Sequence, residues 1–138
     1  MTAPDTARGN GAQLFEAGQF NGEGNNGWVV GHFIEQGPRR SDDVEVKWMR
    51  HAPGPAGKGW STCETATTLS ILLSGHFKIE FRNAPLDSVE LITPGQYVIF
   101  GPGIHHRSTA LKDSWFLTIR WPSTDGNCRP VHEAGSRL

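Results

Sequence analysis

No apolar run in this chain goes far before a glycine or a proline interrupts it, and that punctuation decides the class of fold. The 17 Gly and 9 Pro among 138 residues leave no room for long helices. Each Pro removes a backbone donor and fixes φ, and each Gly brings freedom that a helix must give up. Between the breaks, Val, Ile, Leu, Phe and Trp fall in short alternating runs, the period of a half-buried strand. Residues 27–34 set Trp28, Val30, His32 and Ile34 against Val29, Gly31 and Phe33. Residues 43–51 set Val44, Val46 and Trp48 against Glu45, Lys47, Met49 and His51. Residues 52–59, with two prolines and three glycines, read as a loop, and 61–75 as one long or bulged strand. In 76–82, Phe77, Ile79 and Phe81 are expected inward and His76, Lys78 and Glu80 outward. Further runs at 89–92, at the start of 95–106 and at 115–121 complete an all-β pattern of about eight to ten antiparallel strands, a sandwich or jelly roll.

The most specific segment is 95–106, Gly-Gln-Tyr-Val-Ile-Phe-Gly-Pro-Gly-Ile-His-His. A Pro-Gly turn fixes the backbone where a strand stops, so the next side chains are aimed by geometry. Imidazole is the side chain best suited to proton transfer near neutral pH or to metal binding. Gly95, Pro102, Gly103 and His106 resemble the second motif of cupins, in which such a turn precedes one ligand His. The resemblance covers roughly residues 28–123 and implies a cupin-type double-stranded β-helix, or jelly-roll barrel. It makes His106, rather than His105, the inward residue. The family's first motif, His-x-His followed by Glu and Gly, would end near Gly75, and its positions are occupied by Thr62, Glu64 and Thr68. The run at 64–75 and Arg-Trp-Pro-Ser at 120–123 are similar to a group of short cupins sometimes labelled signal peptidases, an activity for which this chain lacks the membrane segment.

A chain of this length makes one domain with a real core. The expected division is a polar N-terminal arm over 1–27, a barrel over 28–123 and a C-terminal tail over 124–138 that covers a sheet edge. A net charge of −1 leaves no footprint for nucleic acid or for an anionic membrane. With no secretory signal, the expected location is cytoplasmic, and Cys63 and Cys128 are expected as free thiols. Sheet edges that need covering, and an arm able to cross to a neighbour, point to a homodimer.

Strand parity places Thr62, Glu64, Thr68 and Ser70 on one face if no bulge intervenes. With His106 opposite, that face becomes an acid-base constellation with one imidazole, one carboxylate and several hydroxyls. His106 and Glu64 are the expected catalytic pair, and Thr62, Thr68 and Ser70 the expected ligand-orienting groups. Arg120, if it rather than Trp121 is inward, is an anchor for a carboxylate or phosphate. Lys47 and His51 belong to a polar strand face, read as solvated unless it lines a cavity, in which case Lys47 meets the ligand. Trp48 and Trp60 are candidate stacking walls. His32, His76 and His132 read as surface residues without partners.

The missing His-x-His argues against a resident metal. If one were bound, a divalent transition metal would have to draw on His106, Glu64, His105 and His51. The expected partner is a small organic molecule, processed by isomerase, cyclase or lyase chemistry. Two alternatives are a non-catalytic binding or regulatory cupin and a metal-dependent enzyme with unusual ligands.

Overall fold

The computed structural model describes residues 14–132. Ten strands form two five-stranded sheets in which every named pairing is antiparallel: β1 (Trp28–Val30), β2 (Glu45–His51), β3 (Gly54–Cys63), β4 (Thr67–Ser74), β5 (Phe77–Arg82), β6 (Ser88–Leu91), β7 (Tyr97–Phe100), β8 (His105–Ala110), β9 (Ser114–Trp121) and β10 (Cys128–Pro130). Sheet I runs β1-β2-β9-β4-β7 and sheet II runs β10-β3-β8-β5-β6. The only helical piece among the described residues is a short 3-10 turn, Gly24–Gly27. This is the double-sheet jelly roll expected from the punctuation of the sequence.

The core fills the space between the sheets. Leu72, Phe77, Ile79, Phe81, Leu91, Phe100, Ala110 and Phe116 are buried together. Phe77 stacks on Phe116 at 4.6 Å, and Phe81 meets Phe100 edge-on at 5.1 Å. The β5 alternation therefore sends the apolar residues inward as expected.

Two local departures change the faces of neighbouring residues. Residues 52–59 are not a loop: Gly54 opens β3, and Gly57 and Gly59 adopt φ of 90° and 104° within it. Only glycine enters that region at little cost. Ala56 pairs with Ser108 but Ser61 pairs with His106, so three extra residues are absorbed on β3 and the parity downstream inverts. Nor is 61–75 one strand. β3 ends at Cys63 in sheet II and β4 starts at Thr67 in sheet I. The corner is held by Asn127, whose Oδ1 accepts from the backbone N–H groups of Thr65 and Ala66 at 3.2 Å each.

The cysteines are not free. Cys63 and Cys128 are cross-strand partners of β3 and β10, joined by a disulfide across 65 residues of sequence. Sequence distance concealed them because β10, a three-residue strand after the Gly126 turn, returns to the β3 edge. The described part of the N-terminal arm lies on its own barrel: Glu16 ion-pairs with Arg39 at 2.7 Å, and the Gly22 carbonyl accepts from the Arg50 N–H. No helix among the described residues is long and apolar enough to cross a membrane.

Candidate functional site

Cross-strand register defines which side chains meet inside the barrel. On sheet I the inward rows are Glu45–Arg120–Thr68–Phe100, then Lys47–Thr118–Ser70–Val98, then Met49–Phe116–Leu72. Trp28 pairs with Lys47. On sheet II, His106 stands between Ser61 and Phe81, and Ser108 is opposite Ile79. Phe81 is a core residue, so its cross-strand neighbour His106 shares the inward face. His105, opposite Arg82, has the other parity. The polar inward residues enclose a cavity of about 140 Å³ over a floor of Phe77, Ile79, Phe100 and Phe116. Arg120 lines this cavity, whereas Trp121 is on the outer face and 38% exposed.

The His106 ring fixes its own tautomer. Nδ1 lies 3.3 Å from the Ile104 carbonyl oxygen, which can only accept, so Nδ1 carries the proton and Nε2 keeps its lone pair. Burial drives the pKa down to about 4, against a partial opposing effect of that hydrogen bond, and the nearby Arg120 and His105 charges lower it further. The ring is therefore a neutral acceptor at pH 7. Between about pH 6.5 and 4 the unfolded chain takes a proton at this position and the folded chain does not. The stabilisation is thus complete above pH 6.5 and is lost as pH falls towards 4, by at most roughly 3 kcal/mol. Urea unfolding at pH 7 and pH 4.5 should show this loss, and His106→Gln should flatten it; an equal slope in both proteins would contradict the assignment.

Opposite the imidazole stand two cations. Arg120 donates from Nη1 to Glu45 Oε2 at 3.0 Å and from Nε to Thr68 Oγ1 at 3.2 Å. Burial lowers its pKa, and the Glu45 carboxylate opposes that shift. Glu45, only 6% exposed, also accepts from Ser123 Oγ at 2.7 Å. The Ser123 hydroxyl donates its hydrogen bond to Glu45, so its oxygen accepts from the backbone N–H of His32 at 3.0 Å and from His32 Nδ1–H at 2.7 Å. Lys47 has no carboxylate: among the described residues its Nζ rests over the Trp28 ring at 5.3 Å and the Phe116 ring at 5.9 Å. Burial, reinforced by the Arg120 charge, pushes its pKa down to about 8. Ser70 and Thr118 hydroxyls bond each other at 3.1 Å beside it.

Several expected site residues are elsewhere. Glu64 is on the corner between β3 and β4, exposed and 3.8 Å from Arg129, and it does not reach the cavity. Thr62 pairs with Arg129 of β10, on the opposite parity from Ser61, which takes the inward place. The bulge at Gly57 and Gly59 and the change of sheet at 64–66 both break the parity that linked Thr62 and Glu64 to Thr68 and Ser70. Trp48 faces outward against Trp115 at 4.8 Å, and Trp60 is covered by the Arg82 and Arg107 guanidinium groups at 4.1 and 4.5 Å. The aromatic wall is Trp28 instead. Lys47 belongs to the cavity and not to a solvated face: Glu45, Lys47 and Met49 point in, and Val46, Trp48 and Arg50 point out. His32 has its Ser123 partner, and His76 Nε2 is 2.8 Å from Glu90. Glu45 and Ser61 are the additions that parity alone did not single out.

The resemblance of Gly95, Pro102, Gly103 and His106 to the second cupin motif implies a metal ligand at His106, so the donor set decides whether a metal fits. The first-motif positions supply a remote carboxylate and hydroxyls. His105 is on the outer parity, and His51, at the end of β2, bonds the Ala52 carbonyl at 2.6 Å. Among the described residues no group of three His, Cys, Asp or Glu side chains converges. These residues do not fit a transition-metal centre, which needs about three protein ligands.

No protein-family model matches the sequence, and no curated protein matches it either. Solved structures do. KdgF from Halomonas sp. superposes with a TM-score of 0.53 at 20% identity, over 62% of this chain and 74% of that one. A structure of the DMSP lyases RdDddP and RnDddQII gives 0.56 at 24%, over 76% of this chain and 52% of that one. An uncharacterized conserved protein with a double-stranded β-helix domain from Klebsiella pneumoniae subsp. pneumoniae MGH 78578 gives 0.55 at 17%, over 67% and 78%. At these identities the likeness is one of fold. With ten strands in two antiparallel sheets, the described chain has the fold of a small single-domain cupin, the double-stranded β-helix of these structures.

Proposed function

We propose that this cupin processes a small organic acid by proton transfer inside the barrel, with His106 Nε2 as the base and Arg120 as the anchor for the acid group. The observation that carries this reading is the charge balance of the cavity. Of the cations that line it, Arg107 is ion-paired with Glu80 and Arg120 with Glu45, which leaves the Lys47 charge beside a neutral His106, so a ligand bearing one negative charge completes it. A buried cation without a partner is costly, and a carboxylate is the natural complement to guanidinium and ammonium groups. The Ser70, Thr118 and Thr68 hydroxyls orient the remaining polar atoms, and the phenylalanine floor takes the apolar end. An acceptor imidazole beside a bound acid suits isomerisation, cyclisation or elimination, each beginning with loss of a proton.

The structural neighbours named above include lyases, which agrees with such chemistry without fixing the substrate. The test is thermal unfolding with a panel of small monocarboxylates, followed by NMR detection of solvent deuterium entering any acid that binds. A ligand at a hundred times its Kd stabilises by about 2.7 kcal/mol. Acids should raise the midpoint, and neutral alcohols of equal size should not. If no acid binds, the reading is wrong. Binding without deuterium exchange or turnover favours a non-catalytic cupin that captures the same ligand.

A further inference from the structure

We propose that Lys47 condenses through Nζ with the carbonyl group of a small 2-oxo acid, forming an imine in the barrel cavity while Arg120 holds the acid's carboxylate. This rests on the organic-acid reading above and names its substrate class.

The geometry begins with what Lys47 lacks. Its ammonium lies in the cavity, yet the single carboxylate on that part of the sheet, Glu45, is already engaged by Arg120 and Ser123. Among the described residues the aromatic faces of Trp28 and Phe116 approach Nζ, and no ion pair to it is formed. An aromatic ring attracts a cation weakly compared with a carboxylate, so the site does not hold the charged form firmly. An amine partly desolvated against aromatic rings and close to a second cation is the arrangement that makes lysine nucleophilic. Burial and the Arg120 charge push its pKa down to about 8, which leaves an appreciable fraction of free amine near neutral pH.

The spacing selects the substrate. Lys47 pairs with Thr118, and Arg120 is two residues further along β9, so the two are diagonal neighbours on one face, about 7–8 Å apart at the backbone. Both side chains line the same cavity, within reach of one small ligand. A carboxylate directly bonded to a carbonyl carbon, as in a 2-oxo acid, presents both functions so placed. Arg120 Cζ and Lys47 Nζ also share the Trp28 ring, at 5.1 and 5.3 Å.

The step balances without an oxidant. The Nζ lone pair attacks the carbonyl carbon and the C=O π pair moves to oxygen. The nitrogen proton passes to that oxygen, with His106 Nε2 in the same cavity to relay it. A second nitrogen proton is then lost as the hydroxyl leaves as water. The C–N bond becomes C=N, and the amine nitrogen gives up two hydrogens to the departing water.

The experiment is reductive trapping of pyruvate on the intact protein with sodium cyanoborohydride, followed by peptide mapping. The four lysines, Lys47, Lys58, Lys78 and Lys112, provide an internal comparison. Lys47 should acquire the 1-carboxyethyl group at least about tenfold faster than the other three. Lys47→Arg, which keeps the charge, should lose that adduct and still be stabilised by pyruvate in thermal unfolding. If pyruvate stabilises the wild-type protein but Lys47 is trapped no faster than the other lysines, the imine is refuted and the organic-acid reading stands. If pyruvate and the other acids neither stabilise nor label the cavity, both fall.

Discussion

His106→Ala should lower turnover of the cavity's ligand by about a hundredfold to ten-thousandfold, the usual contribution of a general acid or base, and leave the fold intact. The turn that delivers the ring is set by Pro102 and Gly103, the latter with φ of 84°, and by the Gly103 N–H donating to the Cys63 carbonyl at 2.8 Å. None of these needs the imidazole. His105→Ala is the control: its side chain has the outward parity shared with Arg82, so its loss should change the rate little. Steady-state kinetics with far-UV circular dichroism on both variants would check this. If His105→Ala were the damaging change, the inward assignment along β8 would be reversed.

The second large effect concerns the cystine. Closing a loop of 65 residues removes chain entropy from the unfolded state worth about 4 kcal/mol, a substantial part of a typical domain stability of roughly 5–15 kcal/mol. Reduction, or the Cys63→Ala/Cys128→Ala double variant, should therefore lower the thermal midpoint by on the order of 10 °C. Damage should concentrate where β10 supports the barrel: the Glu64 N–H donates to the Asn127 carbonyl at 2.9 Å, and Ser123, between β9 and β10, holds Glu45. Calorimetry with and without a dithiol reductant would decide, and an unchanged midpoint would show that the bond contributes nothing to stability.

Much of the fold was legible because strand alternation and turn chemistry are local. Phe77, Ile79 and Phe81 announce an inward face by their period alone, and 95–106 announces a strand, a turn and an aimed His106. What was illegible depends on counting across irregularities. Gly57 and Gly59 look like loop residues, yet they make a bulge inside β3 that exchanges Thr62 for Ser61. The corner at 64–66 moves the chain between sheets and leaves Glu64 outside. Along β2, alternation separated Glu45 and Lys47 from Val46 and Trp48 but could not say which set was inside. In a small barrel the two answers are reversed when a polar cavity replaces part of the core. The clue was Arg120 at matching polar parity on β9, because buried cations require an anion nearby and Glu45 supplies it. Cys63 and Cys128 carried no spacing motif; only the return of β10 to the β3 edge brings them together.

His106, neutral with its proton on Nδ1, faces the cavity proposed to take a small organic acid. Long-range 1H–15N NMR of the histidine rings measures both parts at once. One ring should keep a protonated Nδ1 and an unprotonated Nε2 as pH falls to about 5, disappear in His106→Ala, and shift when pyruvate is added. A His106 ring that titrates near its ordinary value of 6.5 and ignores every added acid would contradict the account.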